Sequence, residues 1–216
     1  MLFRSTIGVG RTAKPDKVLD GFLKYRIMHQ SVGGKHPSKV SVVWVAGATV
    51  TTIPWKVPER DNRFSSRMAY YHQLIVGRKF SEGFSAQISP TVVHRNLVAG
   101  ADDHNNIFSV GLGARYKLSR RIAFVMDYYY ILRPNVDATS SAKAQFDAMR
   151  NPLAIGFDIE TGGHVFQLHF TNSDGMNEKA FITETTRGWV KQNGNQAQVS
   201  FGFNLSRVFT VKQKKG

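Results

Sequence analysis

The segment from Ile107 to Leu118 alternates apolar residues with small or polar ones. One face of a strand over this segment would carry Phe108, Val110, Leu112, Ala114, Tyr116 and Leu118. The other face would carry Ser109, Gly111, Gly113, Arg115 and Lys117. Successive side chains of a strand point to opposite faces, so the segment predicts a strand with one apolar and one polar side. A membrane barrel turns the apolar side outward against lipid, whereas a soluble barrel turns it inward.

About ten segments of the chain can be interpreted as strands. They span residues 2–11, 19–30, 39–53, 64–77, 84–97, 107–118, 122–132, 152–160, 164–171 and 196–209. From residue 56 onward, short connections (77–83, 119–121, 161–163) alternate with long polar ones (56–63, 98–106, 133–151, 172–195). Outer-membrane barrels combine short periplasmic turns with long outer loops. The sequence therefore predicts an all-β, antiparallel up-and-down transmembrane β-barrel forming a single domain over residues 1–216, in the outer membrane of a Gram-negative bacterium.

Composition excludes several other classes. The mean hydropathy is -0.27, and no apolar run approaches the roughly 18 residues that a membrane helix needs. The chain has no cysteine, so a disulfide framework and a thiolate metal site are both excluded. The net charge is +14, but the basic residues are scattered except at Lys212, Lys214 and Lys215. Scattered charge argues against nucleic-acid binding and favours charges along a barrel wall.

Charged residues on the polar strand faces are the candidate lumen residues. They are Lys24, Arg26, Arg67, Arg95, Arg115, Asp127, Asp158 and Glu160. Carboxylates in a narrow lumen need partners, which predicts ion pairs with Arg67, Arg95 and Arg115. Acid–base chemistry or Ca²⁺ binding by the same carboxylates is the alternative. The excess of basic residues predicts that small anions are attracted if the lumen is open.

No set of residues with the spacing of a catalytic or metal site is visible. His164 and His169 differ in parity, and His72 and His94 fall on apolar faces. Gly111 and Gly113 are strand glycines, since no helix follows them. We therefore expect no enzyme activity, no cofactor and no metal. The aromatic residues Tyr70, Tyr71, Trp44 and those at 128–130 predict interfacial girdles, and residues 175–187 predict a short helix or a loop folded over the mouth.

Several segments resemble a known family. They read DGFLKY at 20–25, FSSRMAYYHQ at 64–73, SPTVVHRNL at 89–97 and DIETGGHVFQL at 158–168, with FTN at 170–172 before GMNE at 175–178. The resemblance is to an uncharacterised family of outer-membrane β-barrels, a domain of unknown function common in Bacteroidota, and it spans nearly the whole chain. It implies a signal peptide and about two strands ahead of Ile7, both of which this chain is expected to lack, so that it carries about ten of about twelve strands in the full family, an even number as in other bacterial barrels. It assigns no catalytic residue.

The function expected from these observations is a narrow pore, or a barrel that binds ligands or envelope proteins while embedded in outer-membrane lipid. A barrel of about ten to twelve strands has a narrow interior, so a wide pore is not expected. Two alternatives remain. An outer-membrane enzyme acting on lipids would need a Ser, His and acidic set at the lipid-facing rim. A soluble lipocalin-like carrier would have the same alternation turned inside out.

Overall fold

The structure, a computed structural model, describes residues 4–12, 17–33, 37–55, 58–59, 62–190 and 197–207. The strands are β1 (Ser5–Arg11), β2 (Val18–Met28), β3 (Ser41–Thr51), β4 (Met68–Lys79), β5 (Phe84–Arg95), β6 (Asn106–Lys117), β7 (Ile122–Ile131), β8 (Leu153–Thr161), β9 (His164–Thr171) and β10 (Ser200–Arg207). Helix α1 (Ser141–Ala148) lies between β7 and β8, and helix α2 (Glu178–Thr183) lies between β9 and β10. A 3-10 helix, Phe64–Arg67, precedes β4.

The ten strands form one sheet in chain order, and each strand pairs antiparallel with the next. This confirms the predicted all-β, up-and-down architecture. The predicted segments match the strands to within a few residues at most ends, while residues 2–3, 196 and 208–209 of two predicted strands lie outside the described part. The clearest difference is at residues 64–67, which form the 3-10 helix instead of the start of β4.

The apolar face of the sheet points outward. In β6, Ser109 and Gly113 are buried, whereas Phe108, Leu112 and Tyr116 are exposed. The same pattern extends to other strands, where the large exposed residues include Leu74, Ile88, Phe157, Phe166 and Phe170. Buried polar residues of the strands include Thr49, Gln73, Ser89, Thr91 and Thr171. Such a distribution suits a protein surrounded by lipid and is the reverse of that in a soluble carrier.

The connections divide between the two ends of the sheet. The short-turn end carries the turns after β4, β6 and β8, and also the connection between β2 and β3, in which Ser31 and Ser38 form an isolated bridge. At the tightest of these turns, Gly162 and Gly163 have φ values of 55° and 121°, which only glycine adopts without strain. The long-loop end carries both α-helices. The predicted alternation of short and long connections is therefore present.

The two edge strands differ from the others. In the described part of the chain, β1 and β10 do not pair with each other. Their outward residues are strongly exposed, as at Val9 and Phe203. No helix in the described ranges is long and apolar enough to cross a bilayer.

Candidate functional site

The long loop between β9 and β10 folds back into the space enclosed by the sheet. The side chain of Asn177 caps α2 by accepting a hydrogen bond from the Ala180 backbone N–H at 3.0 Å. Ile182 of this helix is 0 % exposed and forms one apolar cluster with the inward-facing Val45, Tyr71 and Val93. Those three residues belong to three consecutive strands, β3, β4 and β5. Helix α2 therefore lies inside the lumen, as a plug.

Three hydrogen-bonded side chains, Gln73, Thr91 and Tyr129, form a crossbar between strands beneath the plug. The side-chain amide of Gln73 on β4 donates to the Thr91 hydroxyl on β5 at 3.1 Å and to the Tyr129 hydroxyl on β7 at 2.6 Å. The ring of Tyr129 meets the ring of Phe181 edge to face, with 5.9 Å between the ring centroids. The crossbar and α2 therefore pack together as one layer on the inner face near the long-loop end.

Glycines on the inner face give the two lumen tyrosines room to lie flat against the wall. Gly47 is paired with Tyr71, and Gly111 is paired with Tyr129. A methyl group at Gly111 would lie 2.6 Å from the Tyr129 ring, and one at Gly47 would overlap the Tyr71 ring. An aromatic ring packed over a strand glycine fills space that the glycine leaves empty. The pairs thus fix the direction of both tyrosines.

The Gln73–Tyr129 bond supplies a stability prediction. Replacing Tyr129 by phenylalanine removes the hydroxyl and leaves one donor of the Gln73 amide without a partner inside the protein. We expect the free energy of unfolding to fall by about 1–3 kcal/mol. Urea-dependent unfolding in lipid vesicles would measure it. Tyr130→Phe is the matched control, because Tyr130 faces outward and is 52 % exposed, so its replacement should change stability little. Equal losses of unfolding free energy in the two variants would contradict the hydrogen bond between Gln73 and Tyr129.

The plug loop is anchored at both of its ends. Arg187 forms an ion pair with Asp174 at 2.6 Å, and Ser200 donates to the same carboxylate at 2.7 Å. Asn172 accepts from the Leu153 backbone N–H at 2.8 Å and donates to the Arg187 carbonyl at 2.8 Å. These contacts tie the loop to the starts of β8 and β10, so α2 is attached to the wall beside the lumen.

A cavity of about 660 Å³ occupies the lumen on the short-turn side. Its inner-face lining includes Lys79, Ser85, Gln87, Gly113, Arg115 and Asp127, and residues 29–32 contribute from the connection between β2 and β3. The side chain of Asp127 is exposed to water in this cavity. Cavities of this volume hold small organic molecules.

The strand register places most of the predicted charged residues on the inner face. They are Lys24, Arg26, Arg95, Arg115, Asp127, Asp158 and Glu160. Of these, the structure brings together Arg115 and Asp158, with 3.3 Å between Nε and the carboxylate. Gln167 donates to the other oxygen of Asp158 at 3.0 Å. Of the predicted ion-pair network, the structure thus shows one pair, whose carboxylate also accepts a hydrogen bond from the Gln167 amide.

The other basic candidates have different surroundings. Arg67 lies in the 3-10 helix and not on a strand; it donates to the Thr51 and Ile53 carbonyls, and its guanidinium lies 3.9 Å from the Trp55 ring centroid. Its placement on a strand was wrong, because residues 64–67 turn before β4 begins. Arg95 donates to the His104 carbonyl at 3.3 Å at the end of β5. Arg67 and Arg95 thus bind loop carbonyls and not lumen carboxylates.

Several residues that define the lumen were missed by sequence reasoning. Tyr71 and Tyr129 were assigned to the aromatic girdles, yet both face inward. Their parity could have shown this, since each follows a tyrosine that faces outward. The carboxylate of Glu178 interacts electrostatically with Asp127 and with both tyrosines. No sequence signal connected a loop glutamate with a residue of β7.

Two carboxylates outside the strands have perturbed acidities. The backbone N–H of Gly100 donates to Asp103 at 2.9 Å and lowers the pKa of that carboxyl group in the long-loop end. The Lys79 ammonium, 2.9 Å from Glu82, lowers the pKa of Glu82 in the short turn after β4. Both groups are ionised at neutral pH, and both act in local turn structure.

The histidines on the outer face bear on the lipid-enzyme alternative. His72 stacks on Trp44 with 5.8 Å between ring centroids. His94 pairs with the Asn106 side chain at 2.7 Å and stacks on Tyr70. A histidine oriented by a neighbouring amide is one part of a hydrolytic site, but a nucleophile is also needed. Among the residues described, no serine or threonine hydroxyl bonds to His94, and no group of three potential metal ligands occurs.

An up-and-down sheet with an apolar exterior and a polar, plugged interior defines a membrane β-barrel. The family "Membrane bound beta barrel domain (DUF5777)" matches residues 3–209, and the chain belongs to it. This confirms the membrane β-barrel class and contradicts the soluble-carrier alternative. No curated protein and no solved structure matches the chain.

Proposed function

We propose that this protein is an outer-membrane barrel that works as a narrow, normally closed pore, with the loop between β9 and β10 as its plug. The observation that carries the proposal is Ile182, fully buried among Val45, Tyr71 and Val93 inside the lumen. A loop that only covered the mouth would not bury a side chain against three strands. The lumen beyond it is open to water through the cavity at the short-turn end.

The orientation follows from the loops and supports an outer-membrane location. Bacterial outer-membrane barrels direct short turns to the periplasm and long loops outward. With this orientation the plug enters from outside, and the cavity faces the periplasm. The exterior loops, including α1, are then the surface that meets envelope or extracellular partners. Outer-membrane lipid covers the apolar face.

Neither catalysis nor a bound cofactor is part of the proposal. In the described structure no serine or threonine hydroxyl bonds to His94, and Asp158 forms an ion pair with Arg115. The lumen chemistry instead consists of packing, hydrogen bonds and one ion pair. These interactions hold a closed state and do not assemble a reacting group with a base.

Ion selectivity tests a further part of the sequence-based prediction. Anion preference was predicted from the excess of basic residues. At the level of the plug, however, the inward charges include the carboxylates Asp20 and Glu178 as well as the ammonium group of Lys24, which pairs with Val45. The two carboxylates oppose anion passage, whereas Lys24 favours it. Reversal potentials under a salt gradient would decide between the two preferences.

The test of the proposed function is conductance of the purified barrel in planar bilayers. We expect a low, mostly closed baseline with brief small openings, because α2 and the crossbar fill the lumen. A steady large conductance would contradict the proposal, since it would mean that the plug does not occupy the lumen in the membrane. A complete absence of openings over a wide voltage range would show a permanently sealed barrel and would also overturn it.

A further inference from the structure

The cavity beneath the plug presents two opposite charges to the same space. Arg115 on β6 and Asp127 on β7 both line it. Arg115 pairs across the strands with Val125, which is two residues from Asp127. The two charged residues are therefore diagonal neighbours on one face, with about 7–8 Å between their backbones.

Each of the two charges retains unused binding capacity. Arg115 uses its Nε for Asp158, and within the described structure no hydrogen bond occupies its two terminal amino groups. A guanidinium held in this way can bind a carboxylate through those amino groups. Asp127 forms no ion pair or hydrogen bond with any described residue, and the carboxylate of Glu178 adds a second negative charge nearby. A carboxylate that lies near a like charge is stabilised by a cationic partner.

A strand glycine, Gly113, lets the side chains of Asp127 and Gln87 approach each other in the cavity wall. A methyl group at Gly113 would lie 2.8 Å from the Asp127 carboxylate and 2.8 Å from the side chain of Gln87. Both side chains therefore lean over the same glycine, and the Gln87 amide adds a donor and an acceptor next to the acid. The cavity is about 660 Å³, which is within the range of small-molecule sites.

From this arrangement we propose that the cavity binds a small zwitterion of the short-peptide class. The ligand carboxylate binds the free amino groups of Arg115, and its ammonium group binds Asp127 beside Gln87. Two extended residues span at most about 7 Å, which is close to the spacing between the backbones of Arg115 and Asp127. A simple anion would use Arg115 alone, and a simple cation would use Asp127 alone. The proposal does not depend on α2 acting as a gate.

Calorimetric titration of the full chain in lipid nanodiscs tests the site with three probes. Glycylglycine carries both charges, N-acetylglycylglycine lacks the ammonium group, and glycylglycine amide lacks the carboxylate. We expect glycylglycine to bind about tenfold more tightly than either blocked form, since each block removes one charge-assisted contact. If glycylglycine amide binds as tightly as glycylglycine, the cavity is a cation site, and if N-acetylglycylglycine does so, it is an anion site. If glycylglycine does not bind, the cavity holds no such ligand. Each of these results would overturn the proposal.

Variants assign the ammonium contact to Asp127. In Asp127→Asn, glycylglycine should lose its advantage over the acetylated probe, and in Gly113→Ala all three probes should weaken because the added methyl group crowds Asp127 and Gln87. Asp147→Asn, the same change on α1 outside the cavity, should retain the wild-type preference. Heat-dependent gel migration confirms that each variant is folded. A preserved advantage in folded Asp127→Asn would overturn the assignment, whereas the conductance test of the plug would be unaffected.

Discussion

Replacing Ile182 by aspartate is expected to open the barrel, with about a 10- to 100-fold increase in the open fraction in planar bilayers. Ile182 is fully buried against Val45, Tyr71 and Val93. Burial of such a side chain contributes about 1.5–3 kcal/mol, and every 1.4 kcal/mol changes an equilibrium about tenfold. An aspartate would lose this contribution and would also place a carboxylate near Glu178. The plugged state is destabilised for both reasons, while the strands keep their pairing.

A matched control for this variant lies on the same loop. Val190 is 67 % exposed, so Val190→Asp changes the charge of the loop without removing a buried contact. We expect it to conduct like the wild type. An Ile182→Asp protein that stays closed, or a Val190→Asp protein that opens equally, would show that the closed state does not depend on packing of α2 in the lumen.

The second large effect concerns which face of the sheet meets lipid. Ile88 and Gln87 are adjacent in β5, but Ile88 faces outward and is 45 % exposed, whereas Gln87 lines the cavity. Arginine on the lipid face near the membrane centre costs about 2–4 kcal/mol. Ile88→Arg should therefore lower the free energy of unfolding from lipid vesicles by about that amount. Gln87→Arg should cost much less, because water in the cavity can solvate the new charge.

Denaturant titrations of both variants in the same vesicles would measure this difference. The comparison is internally controlled, since the two variants carry the same new residue at neighbouring positions. A larger loss for Gln87→Arg than for Ile88→Arg would indicate that the apolar face points away from lipid. That outcome would contradict the orientation of the whole sheet.

The strand pattern was predictable because it depends on local rules. Alternation in β6 determines which side chains share a face, and the side that meets lipid must be the apolar one. Turn residues such as Gly162 and Gly163 mark where a hairpin closes. The ten strands, their pairing order and the alternation of short and long connections all follow from such short-range signals. These features needed no knowledge of contacts between distant parts of the chain.

The lumen was predictable only in part, because its contacts join residues far apart in sequence. The sequence indicated a short helix or a loop folded over the mouth between residues 175 and 187, but not that Ile182 would pack on Val45 and Val93 inside the lumen. Tyr71 and Tyr129 were interpreted as girdle residues by composition, although parity places them inside. Of the predicted ion-pair network, the structure contains the pair between Arg115 and Asp158. Arg67, which was expected in the same network, instead donates to backbone carbonyls. Charge alone does not identify a partner when several inward residues are equally distant along the chain.

The most direct test of the plugged lumen uses single cysteines, since the natural chain has none. Ile182→Cys and Val190→Cys would be treated in intact cells with a membrane-impermeant maleimide, and labelling would be followed over time. If α2 is buried in the lumen, labelling is rapid at position 190 and slow at position 182 until the protein is unfolded. Equal labelling rates at the two positions would contradict a plug buried in the lumen. If position 190 were labelled only after the outer membrane is permeabilised, the outward placement of the long loops would be contradicted.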